Sequence, residues 1–203
     1  KGSILLDGHE IKNMNMLEIA KYMGYVPQSS SNVFPVMVFD MVLMGRRPHL
    51  GWRSSEADIE KVVKILKLVE IEDLAMSDFN ELSGGQQQKV IIARALAQEP
   101  DILLLDEPTS NLDIRHQLEV MEIIKNLATE KGISVIIAVH DLNLASRYAG
   151  KVIIMKDGRI FSAGDPASVL TPENILSVYG VESVVKNESG KPYVIPIRAM
   201  RRI

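Results

Sequence analysis

The sequence predicts an α/β fold, a parallel sheet with helices between its strands and a helical segment inserted into it. Three observations lead there. Short aliphatic runs of strand length recur, at 102–105, 133–139 and 151–155, and stretches with helical spacing separate them. Polar pairs, Asp106-Glu107 and His140-Asp141, stand at the carboxyl ends of two of these runs, where open α/β sheets bind ligands. Between Ser29 and Asn80 the strand runs disappear and helical periodicity takes over.

Taken in order, residues 3–6 read as a strand closed by the Asp7-Gly8 turn. A short helix near 16–23 ends at Gly24, read as its C′ glycine. Tyr25-Val26-Pro27 leads into Gln28 as a strand end. A Ser29-Ser30-Ser31-Asn32 loop then opens the helical stretch. One helix carries Val38, Met41, Val42, Leu43 and Met44, and the loop Gly45-Arg46-Arg47-Pro48-His49-Leu50-Gly51-Trp52 follows. A second is capped by Ser55 with Asp58 three residues on, and carries Ile59, Val62, Val63, Leu66 and Val69.

The alternation resumes with a helix from Ser83 to about Gln98, stopped before Pro100. Strand 101–105 follows, then a helix over about 113–131 with Gly132 behind it, strand 133–139, a helix over about 141–148, and strand 151–155. Asp157-Gly158 reads as a hairpin turn into 159–163. Thr171-Pro172 starts a last helix, with extended stretches near 181–186 and 193–197. The expected organisation is a single domain: an α/β core at 1–28 and 83–163, a helical insert at 29–82, and a small C-terminal extension at 164–203.

Composition narrows the function classes. A chain of 203 residues with net charge −3 and no basic stripe gives no reason to expect nucleic acid. The absence of cysteine excludes disulfides, thiolate metal sites and thiol nucleophiles. The longest apolar runs are strand-length, far short of a bilayer span.

Ser83-Gly84-Gly85 opening a helix offers a hydroxyl and unobstructed backbone N–H groups to an anion. Asp106-Glu107, taken alone, is equally a strand end with solvated carboxylates. A lone histidine is usually structural or merely exposed, and His9, His49 and His116 are read that way. Asp113 reads as the N-cap of the helix that follows it. Met37, Met41 and Met44 form a helical stripe, which Trp52 extends. It serves either as insert core or as an adaptable docking surface.

Leu82-Ser83-Gly84-Gly85-Gln86, the aliphatic run ending in Asp106-Glu107, Pro108-Thr109-Ser110, Ser110-Asn111-Leu112-Asp113 and Val139-His140-Asp141 occur in that order. Together they resemble the ATP-binding subunit of ABC (ATP-binding cassette) transporters. The resemblance implies a P-loop NTPase-like core with ATP and Mg²⁺ as cofactors. It makes Asp106 a Mg²⁺ ligand through water, Glu107 the general base, and His140 a γ-phosphate contact that holds Glu107 and the attacking water. Gln28 becomes a ligand of Mg²⁺ or of that water. Ser83, Gly84, Gly85, Gln86 and Asp113 become nucleotide contacts across a head-to-tail dimer of two such subunits.

One motif is missing. No G-x-x-x-x-G-K-[ST] phosphate loop occurs in the 203 residues: Gly150-Lys151 is followed by Val152, and Gly190-Lys191 by Pro192. In the family that loop precedes a strand resembling Gly2-Ser3-Ile4-Leu5-Leu6-Asp7-Gly8. The expectation is therefore that the first strands and the loop have been cut off, and that the chain as given is inactive alone.

The Gly45–His49 loop, the His140–Ala145 stretch and the tail around 170–181 further resemble importers of iron–siderophores, haem and cobalamin. That implies transmembrane permease subunits as partners, an extracytoplasmic binding protein indirectly, and a peripheral place on the cytoplasmic face of the cell membrane. The stretch from Met37 to Trp52, with Arg46 and Arg47, is the expected permease docking surface. The alternatives are a non-catalytic partner contributing only its signature turn, and an importer ATPase for another substrate.

Overall fold

The chain opens on an antiparallel hairpin, β1 (Leu5–Leu6) against β2 (His9–Glu10). Its turn places Asp7 at φ 48° and Gly8 at φ 83°, the left-handed pair that a two-residue hairpin turn demands. The protein is seen here in a computed structural model, which describes residues 3–28, 34–49 and 54–200. Helix α1 (Met16–Tyr22) starts from an Asn15–Glu18 capping box. Gly24 follows the C-cap but does not take the left-handed conformation of a C′ glycine cap. The chain is already extended at Met23, and Gly24 lies buried inside β3 (Met23–Val26). A Cβ on Gly24 would stand 3.0 Å from Leu103 Cδ1 and 3.1 Å from the Ala95 carbonyl oxygen, so this glycine serves close packing.

Three strands form a parallel sheet in the order β3, β4 (Ile102–Asp106), β5 (Ser134–Ala138). Met23 pairs with Ile102, and Ile102 with Ser134. The connecting helices are α4 (Gly84–Leu96) and α5 (Ile114–Glu130). Both are amphipathic. Val90, Ile91, Ile92 and Ala93 of α4 and Val120, Met121, Ile124 and Leu127 of α5 are buried, as are Leu103 and Leu105 of β4.

The insert holds α2 (Val38–Leu43) and α3 (Glu56–Leu68), the latter begun by the predicted Ser55–Asp58 capping box. Its two ends are stitched together. Val38 N–H donates to Ser77 O at 3.0 Å, Phe39 N–H to Ala75 O at 2.9 Å, and Phe79 N–H to Val36 O at 2.9 Å. Val38, Met41, Val42, Val62, Leu66 and Phe79 fill its interior. The methionine stripe divides: Met41 is core, whereas Met37 and Met44 are about half exposed. Trp52, with Leu50, Gly51 and the 29–33 loop, lies outside the described residues.

The arginine pair divides as well, which corrects the reading of both as surface residues. Gly45 lets the chain cross α4 closely, since a Cβ there would stand 2.0 Å from Arg94 O. Arg46 is thereby driven inside, 3% exposed. Its Nε donates to Asp58 Oδ1 at 3.0 Å, and its Nη1 to Ala97 O at 2.8 Å and Glu99 Oε2 at 2.9 Å. Arg47 stays exposed.

The chain separates into two compact units, Lys1–Ala138 and Val139–Ile203. The second begins with α6 (Leu142–Tyr148) and the hairpin β6 (Val152–Lys156) and β7 (Arg159–Gly164), turned by Asp157 and Gly158, both at positive φ. Strand 151–155 pairs antiparallel with 159–164, as the Asp157-Gly158 turn predicts. Helices α7 (Pro166–Val169) and α8 (Pro172–Tyr179) follow, then the hairpin β8 (Val181–Glu188) and β9 (Lys191–Ala199). Val152, Ile154, Val169, Leu170, Ile175 and Val194 make this unit's core.

Candidate active site

Sheet register assembles the first part of the site. Val26 of β3 lies beside Leu105 of β4, the last register pair between these two strands. Two residues further on, Gln28 and Glu107 meet: Gln28 Nε2 donates to Glu107 Oε2 at 2.7 Å. Behind them Tyr25 Oη approaches Asp106 Oδ2 at 3.5 Å. The backbone fixes Glu107 from both sides. Its N–H donates to Ala138 O at 2.9 Å, extending the β5 pairing past Asp106, and its carbonyl accepts Ser110 N–H at 3.0 Å. Glu107 sits at φ 46°, a left-handed conformation for a non-glycine residue at a strand end. Such strain persists where surrounding structure imposes it, and it gathers at working sites.

These groups supply a carboxylate base and hard oxygen ligands. Gln28 uses an amide N–H on Glu107 and keeps its carbonyl oxygen for a cation or water. Among the described residues no group of three or more His, Cys, Asp or Glu could hold a metal ion. One carboxylate, Asp106, beside one amide oxygen suits Mg²⁺, which keeps several waters and completes its shell with phosphate oxygens.

The second part is the turn at the start of α4. Ser83 is the N-cap: its Oγ accepts Gln86 N–H at 3.4 Å, and its own N–H donates to Gln86 Oε1 at 2.9 Å. The Gln86 side chain is thus engaged in the cap. Ser83 and Gly84 are exposed and Gly85 is buried. The first-turn N–H groups of a helix have no intrahelical partner, so the turn favours an anion. Asp113 comes to the same place from α5, whose N-terminus it caps. Its Oδ1 accepts His116 N–H at 2.9 Å and bonds His116 Nδ1 at 2.8 Å. These contacts, the backbone N–H first, hold the Asp113 carboxyl below its ordinary range.

His140 opens the second unit and is exposed. The helix behind it is firmly set. Asp141 Oδ1 accepts from Asn143 N–H at 2.7 Å and Leu144 N–H at 3.0 Å. Asn143 pairs with Val194 through both Nδ2 to Val194 O, 3.1 Å, and Val194 N–H to Oδ1, 2.8 Å. A cavity of about 280 Å³ beside His140 is lined by Asn143, Tyr179, Val181 and Val194.

The structure therefore joins Gln28, Asp106 and Glu107 in one cluster, and Ser83, Gly84, Gly85, Gln86 and Asp113 in another. It sets His140 in the second unit. Sequence reasoning missed Tyr25 and His116. The spacing Asp113…His116, three apart across a helix start, is the signal that could have found the latter.

Comparison with known proteins bears on the family. A family model described as ABC transporter matches residues 1–110. An uncharacterized ABC transporter ATP-binding protein of Methanocaldococcus jannaschii, MJ0089, is 53% identical over 97% of this chain and 77% of its own length. The petrobactin import ATP-binding protein FpuC of Bacillus anthracis is 36% identical over 100% of this chain and 75% of its own. An inward-facing ABC transporter assigned to the metal-chelate type superposes with a TM-score of 0.81 at 30% identity, covering 87% of this chain and 73% of that one.

Proposed function

From the premise that this chain belongs to the ABC transporter family of ATP-binding subunits, and so to the ABC-type ATPases, we propose that it drives import of a metal chelate. The chelate class is an iron–siderophore, haem or cobalamin. FpuC's role in petrobactin import and the metal-chelate type of the superposed transporter support this class. The partners proposed are a second copy packed head to tail, transmembrane permease subunits and, through them, an extracytoplasmic binding protein. Among the described residues no helix is long and apolar enough to cross a membrane. The place proposed is therefore peripheral, on the cytoplasmic face, held by the permease.

The reaction is phosphoanhydride hydrolysis, and the Gln28–Glu107 hydrogen bond is the observation that carries it. Glu107 accepts a proton from the attacking water. Gln28 orients that carboxylate and turns its free carbonyl oxygen toward the water or cation. Asp106 would hold Mg²⁺ through water, and the ion when bound would neutralise phosphate charge. His140 contributes a hydrogen bond to the γ-phosphate. Ser83, Gly84, Gly85, Gln86 and Asp113 serve the nucleotide of the opposite subunit. Ile114, 77% exposed beside Asp113, gives this surface an apolar element suited to a subunit interface.

Docking of the permease is proposed on the insert where its ends are stitched. Phe34 (76% exposed), Met37 and Met76 (74% exposed) are presented there, and Met44, half exposed, follows the other end of α2.

Glu107→Gln in the subunit expressed from its native gene tests the mechanism. It keeps the shape and removes the base, so ATP binding should persist while turnover falls by about 10²–10⁴. Turnover within twofold of the parent would remove Glu107 from the role. The 203 residues alone, which contain no phosphate-loop motif, should show no ATPase activity, and measurable phosphate release from them would overturn that part of the reading.

A further inference from the structure

Gly85 is a glycine for a reason that has nothing to do with its own backbone conformation. It lies within the first turn of α4 with ordinary helical geometry, and it is buried. A Cβ there would stand 2.4 Å from His116 Cδ2, 2.6 Å from Cγ and 3.0 Å from Cβ. The imidazole therefore occupies the space a side chain at 85 would need. The adjoining residue repeats the pattern more loosely, for a Cβ on Gly84 would meet Leu112 Cδ2 at 3.7 Å.

The ring is itself held. His116 Nδ1 bonds Asp113 Oδ1 at 2.8 Å, on the same oxygen that caps α5 through His116 N–H. One turn further along both helices a second rung fixes their register. Lys89 Nζ, on a side chain only 10% exposed, pairs with Glu119 Oε2 at 3.1 Å. Arg115 and then Lys89 keep the Glu119 carboxyl ionised by lowering its pKa. The two rungs tie α4 to α5 near the end that carries Ser83 and Asp113.

We propose that His116 is a positioning residue. It locks the Ser83-Gly84-Gly85 turn to Asp113, so that the two segments meet the opposite subunit's nucleotide as one rigid surface. This inference rests on the proposed cross-subunit role of those segments. His116 touches no nucleotide in this reading and acts through Gly85 and Asp113. The geometry separates its two contributions: the ring edge packs on Gly85, and Nδ1 orients the carboxylate. Misplacing a binding turn by about 1 Å costs on the order of 10²-fold in rate, so a modest loosening should be visible in turnover.

The test is a size swap in the native subunit assembled with its permease, reading kcat, KM for ATP and thermal unfolding. His116→Ala should lower kcat about tenfold or more while KM stays within about threefold, because the subunit's own phosphate contacts are untouched. Gly85→Ala should lose more, about a hundredfold, because the new methyl drives the ring and turn apart. Combining the two should recover at least about tenfold over Gly85→Ala alone, the coupling expected of two groups in one space. His116→Asn, which keeps a donor toward Asp113, should fall between His116→Ala and the parent. Two results would overturn the proposal: a His116→Ala variant with parental kcat, or a double variant no better than Gly85→Ala. If Glu107→Gln also turned over normally, the failure would lie with the proposed hydrolytic site and not with His116.

Discussion

Helix α4 has two ends built on opposite plans. At its C-terminal end Arg46, almost wholly buried and paired with Asp58 inside the insert, reaches to Ala97 O and Glu99, and Gly45 brings the two backbones together. At its N-terminal end Ser83 and Gly84 are exposed and without bulk, with His116 against Gly85 and Leu112 beside Gly84. One end is fixed to the insert by charge; the other is left open to an anion. A rigid rod between them makes any movement of the insert a movement of the anion-facing turn. Two sites coupled in this way need differential contacts in two states, and a docked permease and a bound nucleotide would supply them.

The strongest way to break that comparison is at the fixed end. Arg46→Ala leaves Asp58 and the half-buried Glu99 without their guanidinium, and losing one partner of a buried pair costs about 3–5 kcal/mol. Chemical denaturation of the native subunit should show the loss directly. Charge reversal there would add a third carboxylate to the cluster. Reversal at Arg46 therefore should not uncouple transport while sparing ATPase, as a surface residue would; it should unfold the insert. Arg47, which is exposed, remains the residue for testing docking.

Acid should loosen the same end more gently. Asp58 is held at about 2 by the Ser55 hydroxyl, then the Ser55 N–H and Arg46. An unfolded aspartate titrates at ~3.9. The folded state therefore binds fewer protons between these values. The stabilisation is complete above about pH 4 and is lost as pH falls toward 2. Glu99 is shifted down as well, burial pushing it up but the Lys61 and Arg46 hydrogen bonds prevailing. Unfolding midpoints from pH 5 to pH 2 should fall less steeply in Asp58→Asn than in the parent. Parallel curves would remove Asp58 from the acid response.

The same contrast governs what could be read from sequence. Features set by local chemistry were legible: the Ser55–Asp58 box, the helix start at Ser83, the Asp157-Gly158 turn, and Asp106-Glu107 at the end of an aliphatic run. The pairing of Gln28 with Glu107 needs the β3–β4 register, which residues 79 positions apart do not announce. Arg46 read as a loop charge because nothing local shows that Gly45 would carry it against α4. Gly24 failed for the opposite reason. Its position after a helix looked like a cap, and only the packing of β3 against Leu103 and Ala95 explains it. His116 was passed over since a single histidine carries no pattern until Gly85 is seen beneath it.

The open end allows the smallest and sharpest prediction. Ser83→Ala removes the N-cap, worth about 1 kcal/mol in a typical helix. In a chain of this size that is a melting shift of about 2–4 °C. Ser83→Asn restores a capping oxygen to the Gln86 N–H, so the melting temperature should return. If the hydroxyl also serves a phosphate across the dimer, turnover should stay low in both variants, because the asparagine carboxamide cannot put a small hydroxyl donor in the same place. Stability and turnover would then part company at one position. Recovery of both in Ser83→Asn would mean that Ser83 only caps α4, and that the open end meets phosphate through Gly84 and Gly85 alone.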